Sequence, residues 1–435
     1  MTSNPTSPDP ADPVFISYRQ KDGTGVAGEI AWLLRAAGIP VWRDRDDLPP
    51  GDTEARLKQA IAAGISGGVL VTTPDVVNSR VVKILEAPQL LALHRNHEVF
   101  VLGIINSVRT DGGGTDYDAP DRLLEIRPGT LSGVDQKSAE RDGLLAMIRG
   151  LVWHRIASLR NRIDTNDKTF RLSLQTRNTP QVYDRTGDEL DIRLRPSNHE
   201  RLPSVDGLRD LKDTIGLLPD AVTRSGAHRL RVAGGAHLSV AFAVGAGLPS
   251  SRIGLMDVID QRGVTWASDG EARFLTQARV QIADQGNRLS AITASRPSVA
   301  IYVDLLPDRS DTAFTRYIED NEPSLAAWRH LTSASGTLLD PSDAGQIAAD
   351  VAAHLRALSN DNSNAEVQLL LRCPFPLALL IGRLTNTLRV VVHEWDDSDP
   401  IDGGDYRARY VPTLRVRASA SAGAIEEVLL PSDRS

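Results

Sequence analysis

The sequence predicts an α/β architecture in two parts, and three features of its 435 residues predict it. Apolar runs alternate with amphipathic stretches through the first 105 residues. A block near 236–245 recurs near 373–382, an offset of 137 residues (236 to 373). Between them, Asp164–Lys168 is polar and marks the expected seam by composition. Alternation of strand-like and helix-like runs implies a parallel sheet covered by helices on both faces.

The first part reads as Val14–Tyr18 strand, Gly25–Ala37 helix, Ile39–Trp42 strand, Asp52–Ile65 helix, Gly68–Thr72 strand, Ser79–Leu93 helix and Val99–Ile105 strand. Gly38 stands where a helix terminator belongs and Ser79 where an N-cap belongs. Pro88 falls inside the third helical pattern, which predicts a kink or break just after Glu86. The Gly-rich stretch Ser107–Asp121 reads as a flexible excursion. Leu144, Leu145, Ile148, Leu151, Val152, Ile156 and Leu159 recur at helical spacing and predict a last helix over Ser138–Arg162. Beyond the seam, Arg171–Gln175 and Glu189–Leu194 read as strands and Val205–Leu218 as one helix.

The repeat follows. AlaHisLeuSerValAlaPheAlaValGly at 236–245 aligns with CysProPheProLeuAlaLeuLeuIleGly at 373–382. Each block is preceded by a strand-like run (Arg229–Ala233, Val367–Leu371) and followed by another (Arg252–Ile259, Leu388–Glu394). The unit is strand, tight loop, helix, Gly, strand, and two copies predict two related α/β halves.

Composition narrows the function. A net charge of −7 argues against general DNA or RNA binding through a basic face, so an anionic ligand must meet a local basic site. Cys373 is the only cysteine, which removes disulfide frameworks and cysteine-cluster metal sites and fits a reducing cytoplasm. The opening residues carry neither a basic start nor an apolar core, so residues 1–12 are expected to be disordered rather than a leader. The most apolar later stretch, Val367–Leu384, is interrupted by Arg372, Pro374 and Pro376, so no membrane segment is expected. Nine histidines are scattered; His94 and His97 lack an acidic or cysteine partner, and no metal site is expected.

No GxGxxG, Walker, HExxH or GxSxG pattern occurs. A different set does. Phe15, Ser17, Tyr18 and Arg19 close the first strand, the loop Arg43–Asp52 with Asp44 and Asp46 closes the second, and Ser79 precedes Glu86. Sheets of this kind gather ligands at the carboxyl ends of their strands, where these residues emerge. Pro49-Pro50-Gly51 forces a turn and Asp52 can cap the next helix.

In order and spacing, PVFISYR, VWRDRDDLPPGD, and a serine with a glutamate downstream resemble a TIR domain over residues 13–162. That resemblance implies a flavodoxin-like fold and cleavage of the nicotinamide–ribose bond of NAD, with Glu86 catalytic. It also implies that Arg19 helps line the site together with Phe15, Ser17, Tyr18, Arg43, Asp44, Asp46 and Ser79, and that the 44–52 loop gates it. NAD is then the substrate and no resident cofactor is implied. Val81 and Val82 stand where the family often has a tryptophan. One carboxylate suffices for such chemistry, because nicotinamide departs as a neutral molecule and needs no general acid. Set against the ribose, the carboxylate stabilises the positive charge growing on the sugar.

The second part, 163–435, resembles a SAVED domain, two fused CARF-like Rossmann halves that sense cyclic oligonucleotides in bacterial anti-phage signalling. The resemblance rests on the two repeated blocks and on ValValHisGluTrp near 391–395. It implies a cyclic oligoadenylate activator, cyclic tri-adenylate foremost, made by a partner nucleotidyltransferase. Ligand binding would drive self-association into an open helical filament through both domains and so switch on NAD cleavage. Helix N-termini attract phosphate, so the tight loops of the repeat nominate Gly235, His237, Ser239, Arg372, Pro374 and Phe375 as ligand contacts. The alternative is a non-enzymatic TIR module that recruits other TIR proteins after ligand binding.

Overall fold

The computed structural model describes residues 8–43, 60–61, 63–177, 187–199, 201–268, 278–287, 297–335, 338–400 and 406–431. Contacts group the chain into two units, one holding Met1–Lys168, Thr179–Arg193 and Arg224–Gly226, the other holding the rest.

In the first unit, β1 (Val14–Ser17), β2 (Val41–Arg43), β3 (Gly67–Thr72), β4 (Val101–Asn106) and β5 (Asp135–Ser138) form one sheet in the order 2-1-3-4-5. All its pairings are parallel. This is the flavodoxin-like order, in which the chain's connections run outward in opposite directions from β1 and β3. Val14, Phe15 and Ile16 are buried, as are Val69, Leu70 and Val71, because helices cover both faces. The covering helices are α1 (Gln20–Ala36), α2 (Ala87–Asn96), α3 (Ala119–Leu123) and α4 (Arg141–Thr165). Gly38, at φ +88°, ends the α1 segment in the left-handed region that disfavours side chains. A Cβ on Gly103 would overlap the Met147 sulfur, so glycine in β4 is what lets α4 pack close.

Three expectations for this unit need correction. The stretch 107–121 is no loose excursion. Buried Asn106 ties it at both ends, donating from Nδ2 to the Asp116 carbonyl at 2.6 Å and accepting the Val108 amide at 2.9 Å. Thr110 and Gly114 close a tight turn inside it, and Ala119 begins α3. The disorder foreseen over residues 1–12 is not found at Pro10, Ala11 and Asp12, whose carbonyls accept from the Arg155 guanidinium at 2.7–2.9 Å, and residues 1–7 lie outside the described residues. The last helix begins at Arg141 rather than Ser138, since Asp135–Ser138 is an edge strand. The helix foreseen over Asp52–Ile65 lies largely outside the described residues.

The chain continues through β6 (Thr169–Gln175), β7 (Leu190–Arg193), α5 (Val205–Thr214) and α6 (Leu217–Ser225). The single helix foreseen over 205–218 is two, broken at Gly216, where a Cβ would sit 2.9 Å from the Ala422 carbonyl. The second unit's first half follows with β8 (Arg229–Gly235), α7 (Leu238–Gly247), β9 (Leu255–Ile259) and β10 (Thr265–Ala267). In it β6, β8 and β9 pair in parallel and β10 is antiparallel to β9. Its second half comprises β11 (Val280–Asn287), β12 (Ser298–Asp304), α8 (Thr312–Asp320), β13 (Leu325–Ser333), α9 (Ala344–Asp361), β14 (Glu366–Arg372), α10 (Phe375–Gly382), β15 (Val390–Pro400), β16 (Tyr406–Val416) and β17 (Ile425–Val428). These strands form one sheet in the order 11-13-12-14-15-16-17, parallel from β13 to β15.

The repeat is real in three dimensions. A Cβ on Gly245 would overlap the Leu379 carbonyl, and a Cβ on Gly382 would overlap the Phe242 carbonyl. The offset of 137 residues (236 to 373) carries Gly245 to Gly382 and Phe242 to Leu379. The contact is therefore self-reciprocal, as across a two-fold axis, and α7 packs on α10 backbone to backbone. The glycines that end each repeated block exist to permit that approach.

Candidate functional site

In the first unit the site forms at the carboxyl ends of β1 and β3. Ser79 caps the segment that leads to it, its Oγ accepting the Val82 amide at 3.4 Å. Val82–Glu86 then makes a wide π turn in which the Ala87 amide reaches back to Val82, and α2 begins at Ala87. Pro88 supplies the reason: it has no amide hydrogen to send to Ile84, so a regular α-helix cannot run through. The interruption foreseen just after Glu86 takes the form of this π turn, which ends at Glu86 without breaking the helical run from Arg80 to Asn96.

The wide turn carries Glu86 inward. Its side chain is buried, and Oε2 lies 2.5 Å from the Ser17 hydroxyl at the end of β1. A glutamate in this position is not a solvated surface residue, nor one without a packing role. The result is one fixed carboxylate at the point where the sheet's connections diverge.

The other nominated residues fall around it unequally. Tyr18 is buried, and Phe15 belongs to the apolar core with Leu70, Val82 and Ala87, so its ring supports the site from within. Arg19 does not reach Glu86 but bridges Asp22 at 3.1 Å and Asp75 at 3.3 Å. Burial raises the Asp22 carboxyl, yet hydrogen bonds from Thr73 and Arg19 outweigh it and hold the group below its ordinary range. This clasp joins the start of α1 to the turn after β3. Arg43 ends β2, while its side chain and Asp44, Asp46 and the rest of the 44–52 loop lie outside the described residues. Val81 and Ile84, on the turn before Glu86, are 37% and 65% exposed.

In the second unit the nominated ligand residues cluster at the strand ends that feed α7 and α10. Gly235 closes β8 against Gln261. His237 is buried, its amide donating to Thr176 Oγ1 and its Nδ1 lying 2.9 Å from that same oxygen. Burial, and then the Arg177 charge, pushes its pKa down to about 4, so it is a neutral, occupied group at neutral pH. The Ser239 side chain is buried and its amide donates to Glu394 Oε1 at 2.7 Å. Burial pushes the Glu394 carboxyl up to about 7 against the pull of Ser239 and Arg177. Arg372, at the end of β14, donates from Nη1 to Asp304 at 2.6 Å. Pro374 caps α10 and Phe375 opens it, half-buried.

Sequence reasoning missed Thr176, Asp304 and Glu394. A carboxylate inside an apolar run, as in SVAIYVD or VVVHEW, was the available signal, since a buried acid demands a partner. Among the described residues no cluster of His, Cys, Asp or Glu is arranged to hold a metal ion, and no helix is long and apolar enough to cross a membrane.

Comparison with known proteins bears on both units. Residues 14–122 match the family model of the TIR domain. Residues 214–416 match that of the SMODS-associated and fused to various effectors sensor domain, SAVED. No curated protein matches the chain. Among solved structures, the Acinetobacter baumannii Cap4 SAVED/CARF-domain containing receptor with the cyclic trinucleotide 3'3'3'-cAAA is similar at 12% identity and TM-score 0.43, covering 91% of this chain and 97% of that one. The Moraxella osloensis Cap4 SAVED/CARF-domain containing receptor is similar at 11% identity and TM-score 0.37, covering 89% and 97%. A metazoan TIR-STING receptor from C. gigas in complex with 2',3'-cGAMP is similar at 17% identity and TM-score 0.25, covering 39% and 58%. Likenesses at these scores carry no inference about function.

Proposed function

For a chain that carries a TIR domain ahead of a SAVED sensor domain, we propose the role of a ligand-activated NAD glycohydrolase in anti-phage defence. The observation that carries the catalytic reading is the buried carboxylate of Glu86, fixed by Ser17 at the divergence of β1 and β3. Set against the nicotinamide-side ribose, it stabilises the positive charge that develops at C1′ as the C1′–N bond breaks. The bonding pair leaves with nicotinamide, which departs neutral. Water then bonds to C1′ and loses a proton, giving ADP-ribose; closure by the adenine ring instead of water gives a cyclic product. NAD is the substrate, and no resident cofactor is invoked.

The sensor reading supplies the control. A cyclic oligoadenylate, cyclic tri-adenylate foremost, enters the crevice beside Arg372 and Phe375, the former offering charge and the latter a ring for stacking. A partner nucleotidyltransferase makes it. Both repeated halves lie in one chain, so a protomer owns a complete crevice, and head-to-tail association gives an open filament unless its rotation closes. Assembly switches on cleavage of NAD, and depletion of cytoplasmic NAD stops the infected cell.

A second reading has an observation behind it. Val81 and Ile84 are apolar and exposed immediately before Glu86, as a surface for docking another TIR protein would be. Incubating the purified chain with NAD and a panel of cyclic oligonucleotides separates the two. Ligand-dependent release of free nicotinamide supports the enzyme, and its absence with every ligand that binds supports the adaptor.

A further inference from the structure

One difference between the two halves of the sensor falls at the start of their equivalent helices. Ser239 is the second residue of α7, and the repeat offset carries it to Pro376, the second residue of α10. Helix N-termini attract anions through the free amides of their first turn. Here neither amide is available. That of Ser239 is already bonded to Glu394 Oε1 at 2.7 Å, and Pro376 has no amide hydrogen to offer.

Glu394 is not a casual occupant. It reaches α7 from β15, which belongs to the other half, and only 7% of its surface is exposed. Among the described residues the titratable or charged groups that bear on it are Arg177 and Cys373. Burial pushes the Cys373 thiol up to about 12, so among the described residues Arg177 is the charge that favours ionised Glu394. A phosphate approaching α7 meets a carboxylate in the place it would fill. On the other side, Arg372 gives Nη1 to Asp304, which orients a guanidinium whose side chain is 23% exposed.

We infer that Glu394 is a built-in anion that closes the α7 N-terminus to phosphate, so that a cyclic oligonucleotide turns its phosphates to the Arg372 side and the two halves grip it unequally. This rests on the reading of the second unit as a cyclic-oligonucleotide sensor. The repeat gives two equivalent helix N-termini, and that of α7 is occupied from within.

The test is a calorimetric titration of the full-length protein with cyclic tri-adenylate at pH 7.5. Glu394→Gln removes the charge that repels phosphate and leaves on the Ser239 amide only a neutral acceptor that a phosphate can displace, and binding is expected to tighten at least about tenfold. Adding Ser239→Pro, which installs in α7 what α10 already has, is expected to cancel that gain by removing the amide a phosphate would use. In the unmodified protein, affinity is expected to rise as pH falls from 8 to 6, which keeps the inference testable without any substitution. Unchanged or weaker binding by folded Glu394→Gln overturns it, as does pH-independent binding by the wild type. Failure of both wild type and Glu394→Gln to bind overturns the sensor reading itself.

Discussion

The Ser17 hydroxyl lies 2.5 Å from Glu86 Oε2, and both side chains are buried. A hydrogen bond to a charged group contributes about 1.5–3 kcal/mol. Ser17→Ala is therefore expected to lower kcat by roughly 10- to 100-fold, with little change in KM. Ser17→Thr, which keeps the hydroxyl, is expected to recover much of the loss. Steady-state kinetics on the activated enzyme read the split, and a kcat unaffected by Ser17→Ala would remove Ser17 as the group that positions Glu86.

Arg19 acts elsewhere. Its guanidinium clasps Asp22 and Asp75 across the carboxyl edge of the sheet, and partly exposed pairs of this kind are worth about 0.2–1 kcal/mol. Arg19→Ala is thus expected to shift the unfolding midpoint only slightly while raising KM for NAD severalfold. Normal KM and kcat together would count against its place in the site.

Glu394 gives a pH signature whose sign is fixed. Its folded pKa is raised, to about 7 from an ordinary 4.5. The folded state therefore binds a proton that the unfolded chain has lost. That stabilisation is fully present below pH 4.5 and is lost as pH rises through 7, by up to about 3 kcal/mol. His237 runs the other way, since its folded pKa is depressed to about 4 from 6.5 and its contribution is lost as pH falls. Comparing denaturant unfolding of wild type and Glu394→Gln between pH 4.5 and 7.5 isolates the first effect. A difference between the two that does not change with pH contradicts it.

Gly245 and Gly382 are expected to be equally intolerant of a methyl group, because each would press a Cβ into a carbonyl of the opposing helix. Overpacking of this kind costs about 1–3 kcal/mol. Gly245→Ala and Gly382→Ala should destabilise by similar amounts in denaturant unfolding. A large effect at one position and none at the other would contradict the two-fold relation between α7 and α10.

How much of this was legible in sequence follows from the range of each interaction. Val14–Ser17 and Gly67–Thr72 read as strands because burial on both faces leaves unbroken apolar runs. Asp135–Ser138 did not, because an edge strand of Asp, Gln, Lys and Ser carries no such mark. The interruption at Glu86 was visible in Pro88, whereas the inward turn of Glu86 depended on Ser17, 69 residues away. The repeat was readable from its glycines. The pairings at the nominated ligand residues, Arg372 with Asp304 and Ser239 with Glu394, span 68 and 155 residues and leave no local pattern. Asn106 likewise gave no warning that it would order the glycine-rich stretch beside it.

The central claim is that Glu86 cleaves NAD on command, and one measurement tests it most directly. Free nicotinamide is quantified after incubating wild type and Glu86→Gln with NAD, each with and without cyclic tri-adenylate, after circular dichroism has shown both to be folded. The expected result is release by wild type only when the cyclic nucleotide is present, and a loss of at least about a hundredfold in Glu86→Gln, the scale on which removal of a charge-stabilising group acts. Ligand-driven release by Glu86→Gln at the wild-type rate would contradict the claim.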